Sequence, residues 1–298
     1  MIALLVSILQ LAPAGAIAVK LPDVGQLARA VRSGDDVEIE RVAARLGAVR
    51  LTHIAERGKR EERLAALRAL SVVSDGWALL PELARLAADT DASIAEAAAI
   101  TARRIAEGMS PQTVESEEVP RDVPQRAAAV LLEQANKTAL QSSVRVSAIW
   151  ALAALRGIVK IDEAGLSKLL SDGEPQVRRA VAEALVNVPS ADKALETALA
   201  ADASVSVASA AAASLCRDVP ATAVPKSVAM QRAAKLGPPA RARLRALAVD
   251  ESVSLADRLD LLACVRVNLQ PDDQKILDQL AKHPQESLKR RARSLGGR

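Results

Sequence analysis

Six stretches of this chain can be laid over one another, and this self-similarity constrains the fold more than any other feature. In four of them an apolar residue stands five positions after an aspartate. The four pairs are Asp89/Ile94, Asp172/Val177, Asp202/Val207 and Asp250/Leu255. The other two stretches, from Val144 and Leu288, keep the apolar pattern without the aspartate. An internal period near 30 residues indicates stacked supersecondary units and not one rounded core.

The apolar residues of each stretch are spaced for a helix. If the apolar residues named above are position zero, positions four and eight are also apolar in nearly every stretch, as Val181 and Leu185 are after Val177. These three positions fall within about 80° of a helix, so each stretch carries one apolar stripe. A second amphipathic segment and a polar turn precede the stripe at 81–88, 165–170 and 194–200. The repeating unit is therefore predicted to be helix, turn, helix.

The composition supports this prediction. Hydrophobic residues make up 50% of the chain, yet aromatic residues make up only 1%, with no Phe and no Tyr. A compact globule of this size normally fills its centre with large rings. Ala and Leu are strong helix formers, and small side chains suit thin layers of closely approaching helices.

Two segments resemble HEAT repeats: LLPELARLAADTDASIAEAAAITARRI (79–105) and LSKLLSDGEPQVRRAVAEAL (166–185). In that family an Asp-containing turn leads to a second helix that opens with Val-Arg, as Val144-Arg145 and Val177-Arg178 do here. Three corresponding pairs lack the arginine: Ile94-Ala95, Val207-Ala208 and Leu255-Ala256. The resemblance implies an all-α, right-handed α-solenoid of about six to eight stacked HEAT-like helical pairs, with the second helices on the concave side.

Two insertions interrupt the repeat. Successive zero positions lie 50, 33, 30, 48 and 33 residues apart. The first excess, at 108–124, contains prolines and the acidic residues Glu115, Glu117 and Glu118, and is predicted to be a linker. The second lies at about 218–234 and turns helical after Pro225. The predicted organisation is a cleaved signal peptide (1–18), degenerate HEAT-like repeats (19–107), the linker (108–124) and further HEAT-like repeats (125–298).

The N-terminus has the pattern of a secretory signal peptide. Residues 1–19 carry no charged side chain, and Pro13 and small residues follow the apolar run, with cleavage expected after Ala16 or Ala18. A positive n-region is absent, and the alternatives are a buried first helix or an uncleaved membrane anchor. The Ala- and Arg-rich composition is typical of a high-GC bacterium. We therefore expect a periplasmic or secreted protein with no stable membrane insertion after cleavage.

Four residues are candidates for a binding site on the concave face: Arg145, Trp150, Arg178 and Arg179. Trp150 lies six residues after Val144, roughly 240° round the helix and away from the stripe. Tryptophan is favoured as a binding anchor, although a ring wedged between adjacent repeats is the alternative. Trp77, at a helix entry, is predicted to pack inside.

A basic stretch follows the second insertion, because residues 219–249 include no acid. The predicted basic patch comprises Arg232, Lys235, Arg241, Arg243, Arg245, Lys289, Arg290 and Arg291. Such a patch suits an acidic protein, an anionic envelope surface or nucleic acid. We favour the alternative, a solvated helix face whose counter-charges come from neighbouring repeats. Export and the shortage of rings for stacking bases argue against nucleic acid.

The two cysteines are predicted to be free thiols. Cys216 and Cys264 each lie nine residues after their zero position, which predicts equivalent sites on stacked helices about 10 Å apart. A disulfide requires Cα atoms within about 7 Å.

The sequence contains no Gly-rich phosphate loop, no G-x-S-x-G elbow and no paired metal ligands, so it predicts no catalytic residue, metal or cofactor. The predicted function is protein–protein interaction or scaffolding through the concave face, with an unidentified protein partner for which the arginines favour acidic character. The alternatives are an accessory protein that assists an enzyme or chromophore-bearing partner and, less favoured, a DNA-modifying enzyme or hydrolase.

Overall fold

The computed structural model describes residues 22–73, 76–112, 122–217, 228–265, 267 and 269–296. These parts of the chain form α-helices, short 3₁₀ turns and loops, with no strand among them. The helices before the first insertion are α1 (Pro22–Ser33), α2 (Asp36–Leu46), α3 (Ala48–Arg57), α4 (Arg60–Leu70), α5 (Leu80–Leu86) and α6 (Ala92–Gly108). Those that follow it are α7 (Val123–Asn136), α8 (Ser142–Leu155), α9 (Glu163–Lys168), α10 (Pro175–Ala184), α11 (Asp192–Ala201), α12 (Val205–Cys216), α13 (Val228–Ala234), α14 (Pro238–Val249), α15 (Leu255–Val265), α16 (Pro271–Leu280) and α17 (Glu286–Gly296).

The helices are arranged in two layers. The second helices of successive repeats pack on one another in the order α4, α6, α8, α10, α12, α15 and α17. The first helices α3, α5, α7, α11, α14 and α16 each pack on the second helix that follows, and α9 reaches α10 through the 3₁₀ turn Leu169–Ser171. A continuous buried cluster of mainly Ala, Leu and Val runs from Val24 to Leu295. The protein is thus an all-α solenoid, as the sequence predicted.

The predicted apolar stripes are buried in four consecutive second helices. Position zero is fully covered at Ile94, Val144, Val177 and Val207, and positions four and eight of the same helices are covered as well. Trp77 is also buried, at the entry to α5, which confirms its predicted packing role. Small side chains allow these helices to approach closely, so the chain builds a core almost without rings.

The predicted register is wrong in the fifth stripe. Leu255 and Leu259 are only half-buried, whereas Leu261 and Val265 are fully buried, so the stripe lies two residues later than predicted. The same shift appears in a hydrogen bond. The Nε of Arg258 donates to the carbonyl ten residues earlier (3.1 Å), as the Nε of Arg145 does in α8 (2.9 Å). The turn that begins at Asp250 is therefore two residues longer than its counterparts.

This longer turn overturns the prediction of free thiols. Cys216 and Cys264 form a disulfide with Cα atoms 5.4 Å apart. If Asp257 is taken as position zero of α15, Cys264 stands at position seven. Cys216 stands at position nine of α12. Two residues rotate a side chain by about 200° round a helix. Cys264 therefore points back towards α12 instead of occupying the equivalent site one layer away.

The insertions lie mostly outside the described residues. The predicted signal peptide falls within 1–21 and the acidic part of the predicted linker within 113–121, both outside the description. Helices on either side of the linker pack together, α5 on α7 and α6 on α8. In the second insertion, 218–227 lies outside the description and α13 supplies the expected helix. Within the described residues, no helix has the length and apolar character needed to cross a membrane.

Candidate functional site

Two of the four predicted concave-face residues, Arg145 and Arg178, instead turn towards the next repeat. Arg145 is only 2% exposed, and its guanidinium donates hydrogen bonds to both carboxylate oxygens of Asp172, in the turn of the next repeat. Arg178 makes the same bidentate contact with Asp202, at 2.7 and 3.0 Å, and its Nη1 donates to the carbonyl of Asp172. The prediction that Arg145 and Arg178 line the open face is therefore wrong. They form a ladder that ties one repeat to the next.

The ladder carboxylates are held in their charged form. Burial by itself raises the pKa of the Asp172 carboxyl, but the hydrogen bonds from Arg145 and from the Glu174 amide outweigh burial, so the pKa lies below its ordinary value. Asp202 behaves alike, because Arg178 and the Ser204 amide outweigh its burial and lower the pKa of its carboxyl.

A further rung precedes these two and was not predicted. Arg63 on α4 pairs with Asp89 in the next repeat's turn, and its Nε donates to the Ala55 carbonyl at 2.7 Å. Arg63 occupies the same repeat position as Arg145, one residue after position zero. In this repeat Glu62 stands at position zero where an apolar residue is expected, so the Val-Arg pattern did not reveal Arg63.

A cleft of about 600 Å³ lies on the surface of the second helices. The cleft crosses α8, α10 and α12, and the turn before α15 closes one end. Its charged and aromatic lining residues are Trp150, Arg156, Arg179, Glu183, Arg217 and Asp257. Two of the predicted concave-face residues, Trp150 and Arg179, line this cleft, and their place on a concave face stays a prediction.

Trp150 combines both roles that were weighed for it. It is half-buried and packs against the core, yet one side of the ring lines the cleft. The guanidinium carbon of Arg103 lies 5.4 Å from the ring centroid, a cation–π contact that fixes the ring from α6. A rigid, partly exposed indole is a suitable contact for an apolar side chain of a ligand.

Two cleft arginines, Arg156 and Arg217, were missed by sequence analysis. Arg156 directly follows α8 and donates to the Ala184 carbonyl at 2.6 Å, and its burial lowers the pKa of its guanidinium. Arg217 directly follows α12 and is exposed. Their shared position just after a second helix was the available signal, since helix C-termini favour cations.

The floor of the cleft at α12 is formed by small residues. The helix reads VSVASAAAASLC and has no charged side chain. Ser206, Ser209, Ala210 and Ala213 line the cleft, so the surface is recessed here compared with the arginine edges. In the described part of the chain, no group of three or more His, Cys, Asp or Glu side chains is placed to hold a metal ion.

Arginines of the basic stretch form ion pairs with aspartates of other repeats. Arg232 pairs with Asp192, and Arg241 and Arg245 both bind Asp273, at 2.7 and 2.9 Å. Burial raises the pKa of Asp273, but Arg245 and Arg241 more than offset it. The expected counter-charges from neighbouring repeats are confirmed for these three arginines, but the expected solvated face is wrong for Arg232 and Arg241. Arg232 and Arg241 are buried, so they do not belong to a surface patch.

The other members of the predicted patch lie nearer the surface. Lys235 and Arg290 are exposed, and Arg243 and Arg291 are half-buried. Lys289 pairs with Glu286 at 3.1 Å, and Arg290 lies 3.9 Å from the same carboxylate. None of these residues lines the cleft.

Comparisons with known proteins add little to this description. No protein-family model and no curated protein matches the chain. Among solved structures, the chain is similar to a designed armadillo repeat protein in complex with the peptide (KR)4, with a TM-score of 0.37 and 16% sequence identity over 91% of this chain and 97% of that one. At this TM-score the likeness carries no argument, so the fold rests on the helices described above.

Proposed function

We propose that this protein is a binding scaffold that holds a segment of a partner protein in the concave cleft. The observation that carries the proposal is the cleft itself, which spans three successive second helices and combines an indole, guanidinium groups and a recessed floor. Binding sites combine apolar anchors with a few polar groups in this way. The ladder supports the proposal, because it fixes the second helices that carry these side chains.

A peptide display library tests the proposal. The full chain is immobilised, binders are selected, and each is measured against Ala210→Arg, which fills the floor, and Trp150→Ala, which removes the indole. We expect both variants to weaken most selected peptides at least tenfold, corresponding to about 1.4 kcal/mol or more. Arg126→Ala, on the exposed surface of α7, is the matched control. Peptides that bind both cleft variants as tightly as the wild type contradict the proposal.

The scaffold is also proposed to be an exported member of the HEAT-like solenoids. The apolar N-terminus with its small-residue cleavage site supports export, as does the Cys216–Cys264 disulfide, because disulfides persist in oxidising compartments. Fractionation of cells expressing the full chain, with mass spectrometry of the N-terminus, tests this. An intact N-terminus on cytoplasmic protein contradicts it.

A further inference from the structure

The charges that line the cleft are unequally compensated. Arg179 is neutralised on its own helix by Glu183 at 2.9 Å. Arg103, over Trp150, is likewise paired with Glu107 at 2.7 Å. Asp257, at the far rim, accepts a hydrogen bond from Ser254 at 2.8 Å.

Arg156 and Arg217 have no carboxylate within ion-pair distance among the described residues. Arg156 holds only the Ala184 carbonyl, and Glu163 acts on it from a distance. Arg217 is exposed beside the cleft. Both directly follow the C-terminal ends of second helices. Glu183, near the C-terminal end of α10 on the same edge, is paired with Arg179, so the two arginines leave this edge with positive charge while the opposite rim carries serines and Asp257. The complementary ligand is negative on that one edge.

The fold also sets the distance between these two cations. Arg156 follows α8 and Arg217 follows α12, and α10 is packed between those helices. Two helix-to-helix steps of 8–10 Å place the arginines roughly 16–20 Å apart. An extended chain rises about 3.3 Å per residue, so about five or six residues cover this span. Trp150 lies six residues before Arg156 on α8, so its indole and the small residues of α12 lie beside the line that joins the two arginines, towards the N-terminal ends of the helices. An apolar side chain of an extended segment can point into this part of the cleft.

We infer that the partner segment is extended and acidic, with two carboxylates five or six residues apart on either side of an apolar side chain. This inference rests on the proposed function and specifies its ligand. One carboxylate contacts Arg156 and the other Arg217, and the apolar side chain contacts Trp150. Guanidinium–carboxylate contacts are stronger than neutral hydrogen bonds and give a fixed register.

Fluorescence anisotropy with labelled twelve-residue peptides tests the inference on the full chain. One peptide carries two Glu six positions apart with Leu between them, a second has the same composition with adjacent Glu residues, and a third has Lys in place of Glu. We expect the spaced acidic peptide to bind at least tenfold more tightly than the adjacent one, and the Lys peptide not to bind. Arg217→Gln and Arg156→Gln should each reduce binding several-fold, with Arg126→Gln as the unaffected control.

Arg156→Gln also removes a hydrogen bond to the Ala184 carbonyl, so its melting temperature is measured and Arg156→Lys is tested for partial rescue. Lys peptides, or adjacent acids, that bind as well as spaced acids overturn the inference. Arg217-dependent binding of DNA or anionic vesicles without binding of acidic peptides overturns it too. If library peptides of other chemistry occupy the cleft, only this inference fails. If no peptide binds there, the proposed function fails with it.

Discussion

Successive repeats are joined in different ways in two regions of the molecule, the repeats of α8, α10 and α12 and the repeats that follow the second insertion. In the first region, stacked helices are joined by buried arginine–aspartate contacts, Arg145 with Asp172 and Arg178 with Asp202. At the next step α12 has Ala208 where the arginine would be, and the Cys216–Cys264 disulfide joins α12 to α15 instead. The apolar stripe alone therefore does not fix the position of one repeat on the next. The α8–α10 and α10–α12 junctions carry an electrostatic crosslink, and the α12–α15 junction carries a covalent one.

The last junction has half of a ladder contact. Arg258 is 5% exposed and its Nε donates to the Ala248 carbonyl, but its Nη2 has no hydrogen-bond partner among the residues that the structure describes. In the next turn the place five residues before the stripe belongs to His283, whose Nδ1 accepts the Gln285 amide at 3.1 Å, as Asp172 accepts the Glu174 amide. The carboxylate is therefore missing from this rung.

The largest effect is expected from breaking the electrostatic crosslink. Arg145→Ala leaves Asp172 buried without its partner, so the free energy of unfolding should fall by about 3–5 kcal/mol. Arg126→Ala breaks an exposed pair with Asp122 and should cost less than about 1 kcal/mol. Urea unfolding followed by circular dichroism measures both. Similar losses for the two variants would mean that the ladder does not hold the repeats together.

The covalent crosslink should rank next. Cys264→Ser opens a loop of 48 residues and is expected to destabilise the fold by about 2–4 kcal/mol. Hydrogen exchange should accelerate in α15–α17 and remain unchanged in α8 and α10, because only the C-terminal junction is loosened. Reduction of the wild type should reproduce this pattern. Uniform acceleration along the chain would contradict the assignment of the two crosslinks to separate regions.

A smaller gain is expected from completing the last rung. His283→Asp supplies Arg258 with a carboxylate at the place that Asp172 holds for Arg145, and should raise the free energy of unfolding by about 1–2 kcal/mol. His283→Asn keeps an acceptor for the Gln285 amide without the charge and is the matched control. Thermal melts at neutral pH compare them. Equal melting temperatures for the Asp and Asn variants would show that the two turns are not equivalent.

The smallest expected effect is that of pH on the free energy of unfolding near neutrality. The pKa values of Asp172, Asp202 and Asp273 are lowered in the folded state, so the unfolded chain binds more protons as the solution is acidified. These carboxyls contribute stability above their ordinary pKa near 4, and it is lost as pH falls through the lower folded-state values. Urea midpoints from pH 7 to pH 5 should change little and then drop. A rising midpoint below pH 4 would contradict this sign.

The pattern of residues predicted more of the fold than of the site. The stripes of α6, α8, α10 and α12 follow from spacing, since burial of one helical face requires apolar residues every three or four positions. The site depends on which charged residue finds an acid in another repeat. The pair Val144-Arg145 carries the resemblance to HEAT repeats, yet it gave no sign that the arginine turns inward to Asp172, because that partner lies 27 residues away.

The all-α stack of paired helices could be read from the residues alone, because periodicity and helix propensity are local properties of each segment. The tertiary structure alone decided the two-residue shift in α15, the disulfide that follows from it and the cleft edge of Arg156 and Arg217. These depend on turn length and on distances between repeats. A rotation of about 100° per residue makes a small change in a turn redirect every side chain that follows it.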